Sequence, residues 1–184
     1  MPTESSDFHL AQVNIGRLVA PVTAPEVADF VALLDPINAL ADTSPGFIWR
    51  LQSESGNATD IRPFEDEHLL INLSVWRSLE ELRNFTYRTA HVDVLRRRRE
   101  WFEKLAEAHL ALWWIPAGTL PTTAEAGARV RLLRSRGPTP DAFTFRTPFG
   151  PPAESRHRGP TIGPEFGLPL EAPAGARSHL QREG

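Results

Sequence analysis

The chain has 184 residues, of which 41% are hydrophobic and 23% are charged, a composition typical of a globular protein and not of a disordered one. Its formal net charge is −3, with 20 Lys and Arg against 23 Asp and Glu. The chain as a whole therefore lacks the positive charge expected of a nucleic-acid-binding protein. Cysteine is absent, which excludes disulfides, thiolate nucleophiles and cysteine-ligated metal sites.

The N-terminal part of the chain predicts a strand, a helix and a second strand. Hydrophobic and polar residues alternate over residues 8–15, as expected for a half-buried strand. Apolar residues recur at helical spacing over residues 25–41, where Pro25 suits the first turn and Pro36 should kink or end the helix. After a turn, residues 47–51 form a second predicted strand.

A third strand and a long helix follow. Residues 68–76 alternate between hydrophobic and polar side chains and predict a strand. Ser78 and Glu81 have the spacing of a capping box, in which the two residues satisfy free N–H groups at a helix start. The helix that they open is expected to run to about Ala108, with a bend near residues 89–90.

The remaining elements complete an α+β fold. Residues 109–115 predict a fourth strand, residues 123–133 a short C-terminal helix, and residues 143–145 a last short strand. The order β-α-β-β-α-β is typical of the ferredoxin-like arrangement, an antiparallel sheet with both long helices on one face. The other face then needs cover, and its Trp residues favour a second copy of the sheet and an enclosed cavity.

Composition divides the chain into three segments. Residues 1–7 are polar and acidic and predict a disordered N-terminus, and residues 8–146 form the folded domain. Residues 147–184 are rich in Pro and Gly and predict a flexible tail, because they cannot bury enough apolar surface to offset the entropy of ordering them. Since no export signal and no membrane-spanning run is present, we expect a soluble, cytoplasmic protein.

The alternation within the strands assigns their side chains to two faces. The row expected under the helices consists of Ala11, Val13, Ile15, Leu69, Ile71, Leu73 and Val75. The row expected to face away from them consists of Gln12, Asn14, His68, Asn72, Ser74 and Trp76. The second strand adds Trp49, whose face is less clear, and the fourth adds Trp113, which shares a face with His109 and Ala111. The polar row predicts either a homodimer interface, where Trp is enriched, or a ligand-lined cavity within such a dimer.

The long helix carries a second group of candidate residues. His91 and Arg98 lie on or beside its largely apolar stripe, and the single tyrosine, Tyr87, lies one turn before His91. His91 is a candidate proton shuttle or haem ligand, or else a boundary histidine bonded to a backbone carbonyl. The run of residues 96–99 is four arginines that cover every side of a helix, so we expect it to be solvated rather than to bind nucleic acid. We expect no metal site, although His68 could join Glu65 or Asp66 in one.

The stretch Asn72–Leu82, together with Phe85, His91 and residues 98–102, resembles a bacterial family of unknown function. That family is similar to the dimeric α/β-barrel superfamily, which includes antibiotic-biosynthesis monooxygenases, haem-degrading monooxygenases, chlorite dismutase-like haem proteins and muconolactone isomerase-like enzymes. The resemblance covers roughly residues 8–150. It implies two copies packed sheet on sheet, with a pocket between each sheet and its helices or loops. It also implies site residues of the types Asn, Trp and His or Tyr.

These observations lead to three hypotheses. The first is a homodimeric enzyme of bacterial secondary or aromatic metabolism, a cofactor-independent monooxygenase or an isomerase/cyclase acting on a small aromatic or polyketide-like substrate. In it His91 removes a proton and Asn72 and Asn14 hold the resulting oxyanion. The catalytic candidates are His91, Asn72 and Tyr87, and the substrate-binding candidates are Gln12, Asn14, Trp49, Ser74, Trp76, Arg88, Arg98 and Trp113. The second hypothesis is a haem protein with His91 as axial ligand, and the third is a non-catalytic ligand-binding or structural dimer.

Overall fold

A computed structural model describes residues 7–53, 56, 58–59 and 66–152. A short 3₁₀ turn, Pro25–Val27, precedes the first α-helix. The regular elements, in chain order, are β1 (Phe8–Arg17), α1 (Ala28–Asp42), β2 (Phe47–Arg50), β3 (Leu69–Trp76), α2 (Leu79–Arg88), α3 (His91–Trp101), β4 (Leu110–Pro116) and α4 (Thr123–Arg136). Within the described residues, no helix is long and apolar enough to cross a membrane.

The four strands form one antiparallel sheet in the order β2-β3-β1-β4. Helices α1, α2 and α3 pack on one face of it, which confirms the predicted ferredoxin-like α+β arrangement. The two central strands set the geometry of the site, because β1 pairs with β3 so that Gln12 lies opposite Ser74 and Asn14 lies opposite Asn72. These four side chains therefore project from the same face of adjacent strands.

Two helix boundaries differ from those predicted. Helix α1 continues through Pro36 to Asp42, because Pro36 lies on the exposed side while the buried side packs against the sheet and offsets the cost of a proline, about 3 kcal/mol. The long helix predicted to reach Ala108 is two helices and ends at Trp101. The break is at Thr89, whose backbone is extended and whose hydroxyl donates to the Phe85 carbonyl.

The predicted Ser78 N-cap is present at the start of α2. The Ser78 hydroxyl accepts a hydrogen bond from the Glu81 backbone N–H at 3.2 Å and donates one to the Glu81 carboxylate at 3.0 Å. The capped turn also contacts the loop before β2, since a Cβ atom added at Gly46 would lie 2.0 Å from Glu81 Cδ. Gly46 has a φ of +78°, a conformation that L side chains rarely adopt. Position 46 therefore requires glycine, both because Glu81 approaches closely and because φ is positive.

The sheet faces are the reverse of the prediction. The apolar row packs against α4, through Ala126, Val130 and Leu133, and not against α1, α2 and α3. The polar row lies under those three helices, together with Trp76 and the cavity described below. A bulge between Phe47 and Trp49 sends Phe47 to the α1–α3 face and Trp49 to the α4 face. Helix α4, predicted only as a short addition, thus covers apolar surface that we had assigned to the two long helices.

The chain after α4 follows the outer edge of β4. Phe143 makes a single bridge with Leu112, where a short strand over residues 143–145 was predicted. Trp114 Nε1 donates to the Phe149 carbonyl at 2.9 Å, and the Phe149 ring contacts Phe143. Residues 1–6 and 153–184, which contain most of the predicted N-terminal and C-terminal tails, lie outside the described residues.

Candidate active site

A cavity of about 210 Å³ lies between the sheet and helices α1, α2 and α3. An apolar cavity of about 150 Å³ accommodates benzene, whereas pockets for drug-sized ligands enclose about 300–1,000 Å³. The volume therefore suits a compound with one ring and a few substituents. The resemblance implied a pocket in this position, between the sheet and its own helices.

Seven of the eleven candidate residues line this cavity. They are Gln12, Asn14, Asn72, Ser74, Trp76, His91 and Arg98. The first five come from the two central strands, and the last two come from the face of α3 that turns towards the sheet. The sequence had therefore brought together most of the polar groups that this cavity contains.

The other four candidates lie elsewhere. Trp113 is fully buried on the opposite face of the sheet, where its Nε1 donates to Glu125 Oε1 at 3.0 Å. Trp49 packs on that same face because of the β2 bulge. Tyr87 is 49% exposed and Arg88 is exposed as well, since both lie on the outer side of α2.

His91 is the first residue of α3 and is held in place by two contacts. Its Nδ1 lies 3.3 Å from the Thr86 carbonyl oxygen, and its ring packs against Phe85 with 4.9 Å between centroids. Phe85 in turn stacks on Trp76 at 5.0 Å. The imidazole is therefore oriented from both sides, by a hydrogen bond from its Nδ1 and by an aromatic stack that continues to β3.

The Thr86 carbonyl determines the tautomer of His91. A carbonyl oxygen can only accept, so Nδ1 must carry the hydrogen, and in the neutral ring Nε2 then has a free lone pair. Nε2 makes no hydrogen bond within the part of the chain that the structure describes. Burial lowers the pKa of His91 below its ordinary value of 6.5, an effect that the Thr86 carbonyl opposes in part. Near neutral pH His91 is therefore a neutral base on the cavity wall.

A short relay of hydrogen bonds orients Gln12. Trp76 Nε1 donates to Ser74 Oγ at 3.0 Å, and Ser74 Oγ donates to Gln12 Oε1 at 2.8 Å. Because an indole N–H can only donate, the serine hydroxyl directs its own hydrogen to the glutamine carbonyl. All three residues are more than 90% buried. The amide NH₂ of Gln12 is left to donate to a ligand.

Replacing Ser74 with alanine tests this relay. Because the change leaves Trp76 Nε1 and Gln12 Oε1 without partners, we expect the free energy of unfolding to fall by about 1–3 kcal/mol in urea denaturation. Ser135→Ala is the matched control, since the Ser135 hydroxyl is exposed at the end of α4 and donates only to the Leu132 carbonyl. That control should change stability by less than about 0.5 kcal/mol. Equal effects of the two substitutions would contradict the relay.

Two asparagines lie beside this relay on the cavity wall. Asn14 Oδ1 is buried and has no hydrogen-bond partner in the described residues. Such an atom costs free energy unless a ligand or a water molecule donates to it. Asn72, its neighbour across the strands, is exposed and so lies at the open mouth of the cavity.

Several residues of the site were missed in the sequence. Phe85 connects Trp76 to His91, and helical spacing from the buried Leu82 could have identified it. His109 accepts a hydrogen bond from Arg98 through its Nε2 at 2.9 Å. Arg50 lines the cavity but already pairs with Asp42 at 2.8 Å. No local sequence pattern connects Arg98 to His109 or Arg50 to Asp42.

The site does not fit a haem. His91 Nε2 could serve as an axial ligand, but the cavity has the volume of a single substituted ring and a tetrapyrrole is several times larger. His68 Nδ1 lies 3.0 Å from the Leu18 carbonyl, and Asp66 pairs with Arg17, while Glu65 lies outside the described residues. Among the residues described, no group of three or more His, Cys, Asp or Glu side chains could hold a metal ion.

Residues 9–159 match a family model whose description is Domain of unknown function (DUF3291). The chain belongs to the DUF3291 family. This confirms the family-level resemblance noted for residues 72–102. No curated protein matches the DUF3291 chain in sequence.

Solved structures similar to this DUF3291 chain include SnoaB, a cofactor-independent oxygenase from Streptomyces nogalater. SnoaB is 15% identical, over 62% of this chain and 98% of its own, with a TM-score of 0.39. A conserved protein from Methanosarcina mazei is 15% identical, over 61% of this chain and 95% of its own, with a TM-score of 0.43. A provisionally assigned antibiotic biosynthesis monooxygenase from Chloroflexus aurantiacus is 16% identical, over 62% and 93%, with a TM-score of 0.38. These are distant similarities and concern the α+β fold alone.

Proposed function

We propose that this protein is a small-molecule enzyme in which His91 removes a proton from a phenol or an enol. One observation carries the proposal: the Nδ1 of a partly buried, neutral histidine faces the Thr86 carbonyl, which leaves an unprotonated Nε2 on the wall of a cavity of ring size. A general base needs this combination of a free lone pair and a fixed orientation.

The neighbouring polar groups suit the anion that such a step produces. The amide N–H groups of Gln12 and of the two asparagines donate to the developing oxyanion, and the relay from Trp76 keeps Gln12 oriented before the reaction begins. Trp76 and Phe85 pack against the ring of the substrate and exclude water. Trp49, which the sequence had assigned to this role, lies on the other face of the sheet.

Two outcomes are open to the anion, and neither requires a resident cofactor. Reprotonation at a different atom gives an isomer or cyclised product with no net oxidation. Reaction with dioxygen gives a monooxygenated product, and the substrate supplies the electrons that reduce the second oxygen atom to water. Both outcomes belong to the aromatic and polyketide-like chemistry of bacterial secondary metabolism, and both begin with the same proton transfer to His91.

Deuterium exchange tests the common first step. One-ring resorcinols and cyclic 1,3-diketones are incubated with the protein in D₂O, and exchange of their ring C–H protons is followed by proton NMR together with oxygen uptake. Because deprotonation raises electron density at the neighbouring ring carbons, we expect exchange faster than in buffer alone. Oxygen uptake would identify the oxygenase branch, and its absence alongside exchange would identify the isomerase branch. If no compound in the panel shows either signal, the proposal is wrong.

The pKa of His91 sets the expected pH dependence. Because burial lowers this pKa, kcat/KM should be constant above about pH 6.5 and should fall at lower pH, with the midpoint of the fall below 6.5. Stability should change in the same direction, since burial also lowers the pKa of His109 and the unfolded chain takes up both protons first as the pH drops. A pH–rate profile and urea denaturation between pH 5 and 8 measure the two effects. A midpoint above 6.5 would contradict the assignment of His91.

We also propose that the protein is a homodimer, which rests on the resemblance to dimeric α/β barrels. The apolar face of the sheet is covered by α4 of the same chain through Ala126, Val130 and Leu133, so the second copy is not needed to complete the cavity. Native mass spectrometry tests the proposal: a species of twice the chain mass supports it, and a monomer at micromolar concentration overturns it.

A further inference from the structure

We propose that the cavity recognises a carboxylate on its one-ring substrate, and that Arg98 is the residue that binds it. This inference rests on the proposed function for the identity of the cavity as a substrate site. It assigns the substrate class: a hydroxylated aromatic or enolic acid, oriented with its acidic hydroxyl towards His91 and its carboxylate towards Arg98.

Within the described residues, Arg98 differs from Arg96 and Arg97 in having no acidic partner. Arg96 pairs with Asp93 at 2.9 Å, and Arg97 pairs with Glu100 at 2.8 Å. Arg98 lines the cavity and is partly buried, yet no carboxylate pairs with it in the described part of the chain. A buried or partly buried charge is normally paired, because its transfer from water is costly. The missing partner is therefore expected to come from a ligand.

The one hydrogen bond that the Arg98 side chain makes within the described residues goes to a neutral group. Its Nη1 donates to His109 Nε2 at 2.9 Å, and His109 Nδ1 lies 3.3 Å from the Glu107 carbonyl. Since that carbonyl can only accept, Nδ1 carries the hydrogen and Nε2 is the acceptor for Arg98. His109 thus holds the guanidinium in position without neutralising it.

The hydrogen bond to His109 uses Nη1 and so does not occupy the edge of the Arg98 guanidinium that can bind a carboxylate. With Nη1 directed to His109, the Nε and Nη2 edge has no partner among the described residues. The two N–H groups of this edge are parallel and match the two oxygens of a carboxylate. The Phe102 ring lies below the guanidinium, 5.6 Å from its central carbon, and further limits its movement.

His91 and Arg98 lie towards opposite ends of the cavity. They are seven positions apart on the same face of α3, which corresponds to a rise of about 10.5 Å. The His91 end is marked by the stack through Phe85 to Trp76. At the Arg98 end, Phe102 lies against Gly16, where a Cβ atom would come within 2.5 Å of the ring. A single ring carrying a hydroxyl on one side and a carboxylate on the other suits this separation.

The test compares two probes of nearly equal shape, 4-hydroxybenzoate and 4-hydroxybenzamide, by isothermal titration calorimetry with the full chain. We expect the wild type to bind the carboxylate about 10-fold or more tightly than the amide, as a charge-assisted bidentate contact would give. Arg98→Gln should abolish this preference. Arg99→Gln, which changes an exposed arginine on the same helix, and His91→Gln should both retain it.

The outcomes separate this inference from the proposed function. The role of Arg98 would be overturned by any of three results. The wild type binds both probes equally, the wild type binds neither probe, or the carboxylate preference survives Arg98→Gln. A carboxylate preference without any deuterium exchange would support the role of Arg98 and overturn the general-base proposal. Deuterium exchange without the carboxylate preference would support the general-base proposal and overturn the role of Arg98. If Arg98→Gln does not fold by circular dichroism, Arg98→Lys keeps the charge without the fork and should reduce the preference. A preference unchanged in Arg98→Lys would then contradict bidentate binding.

Discussion

Replacing His91 with glutamine should lower kcat for the proton-transfer reaction by about 10²- to 10⁴-fold, the range that a positioned general base contributes. Glutamine can still donate to the Thr86 carbonyl, which His91 Nδ1 contacts at 3.3 Å, but it has no basic nitrogen near neutral pH. KM should change little, because the polar groups on the strands and Arg98 remain. Steady-state kinetics on the compounds that show exchange measures both parameters.

Two further variants make the His91 prediction specific. Tyr87→Phe is the matched control, because Tyr87 is a neighbouring residue that the sequence had assigned to catalysis and that is 49% exposed outside the cavity. It should leave kcat unchanged. His91→Ala opens space for a small base, so added imidazole should restore part of the activity. Full activity in His91→Gln, or a loss in Tyr87→Phe as large as that in His91→Gln, would show that the base has been assigned wrongly.

Replacing Trp113 with alanine should lower the free energy of unfolding by about 3–5 kcal/mol, the cost typical of removing a large buried aromatic side chain. Trp113 is fully buried between the sheet and α4, and its Nε1 donates to Glu125 at 3.0 Å. Folding free energies of small domains are about 5–15 kcal/mol, so this single change could remove much of the total. Urea denaturation followed by circular dichroism measures it.

Trp76 provides a matched comparison on the other face of the sheet. Trp76 and Trp113 are both almost completely buried, but only Trp76 lines the cavity. Phenylalanine at either position loses an indole hydrogen bond and should lower stability by about 1–3 kcal/mol. Only Trp76→Phe should also weaken ligand binding. If Trp113→Phe weakened it equally, the assignment of Trp113 to the core opposite the cavity would be contradicted.

Local patterns predicted the elements of this fold well, because each pattern depends on a few neighbouring residues. Alternation located β3, and the Ser78–Glu81 capping box marked the start of α2. Alternation also grouped Gln12 and Asn14 on one face, since side chains two apart in a strand point the same way whatever lies above them. The helix lengths were less well predicted, because Thr89 breaks the long helix through its own hydrogen bonds.

The sequence grouped seven of the cavity residues, but it did not predict which part of the protein covers them. The sequence placed the polar row of the sheet against a second subunit, whereas α1, α2 and α3 cover it. Both faces of this sheet carry large apolar side chains, so hydrophobicity alone did not decide which of them the long helices would cover. The return of α4 across the apolar row decided it, and that contact joins residues far apart in the chain.

The sequence alone determines an antiparallel α+β domain with a row of amides and indoles on one sheet face. It also places His91 and Arg98 on one stripe of a helix. Both follow from the sequence because strand and helix periods are local properties. The tertiary structure decided what those groups can do. The Thr86 carbonyl selects the tautomer of His91, and His109, the residue before β4, holds Arg98 without neutralising it. Protonation state and charge pairing depend on the positions of particular atoms, and a residue pattern along the chain does not contain those positions.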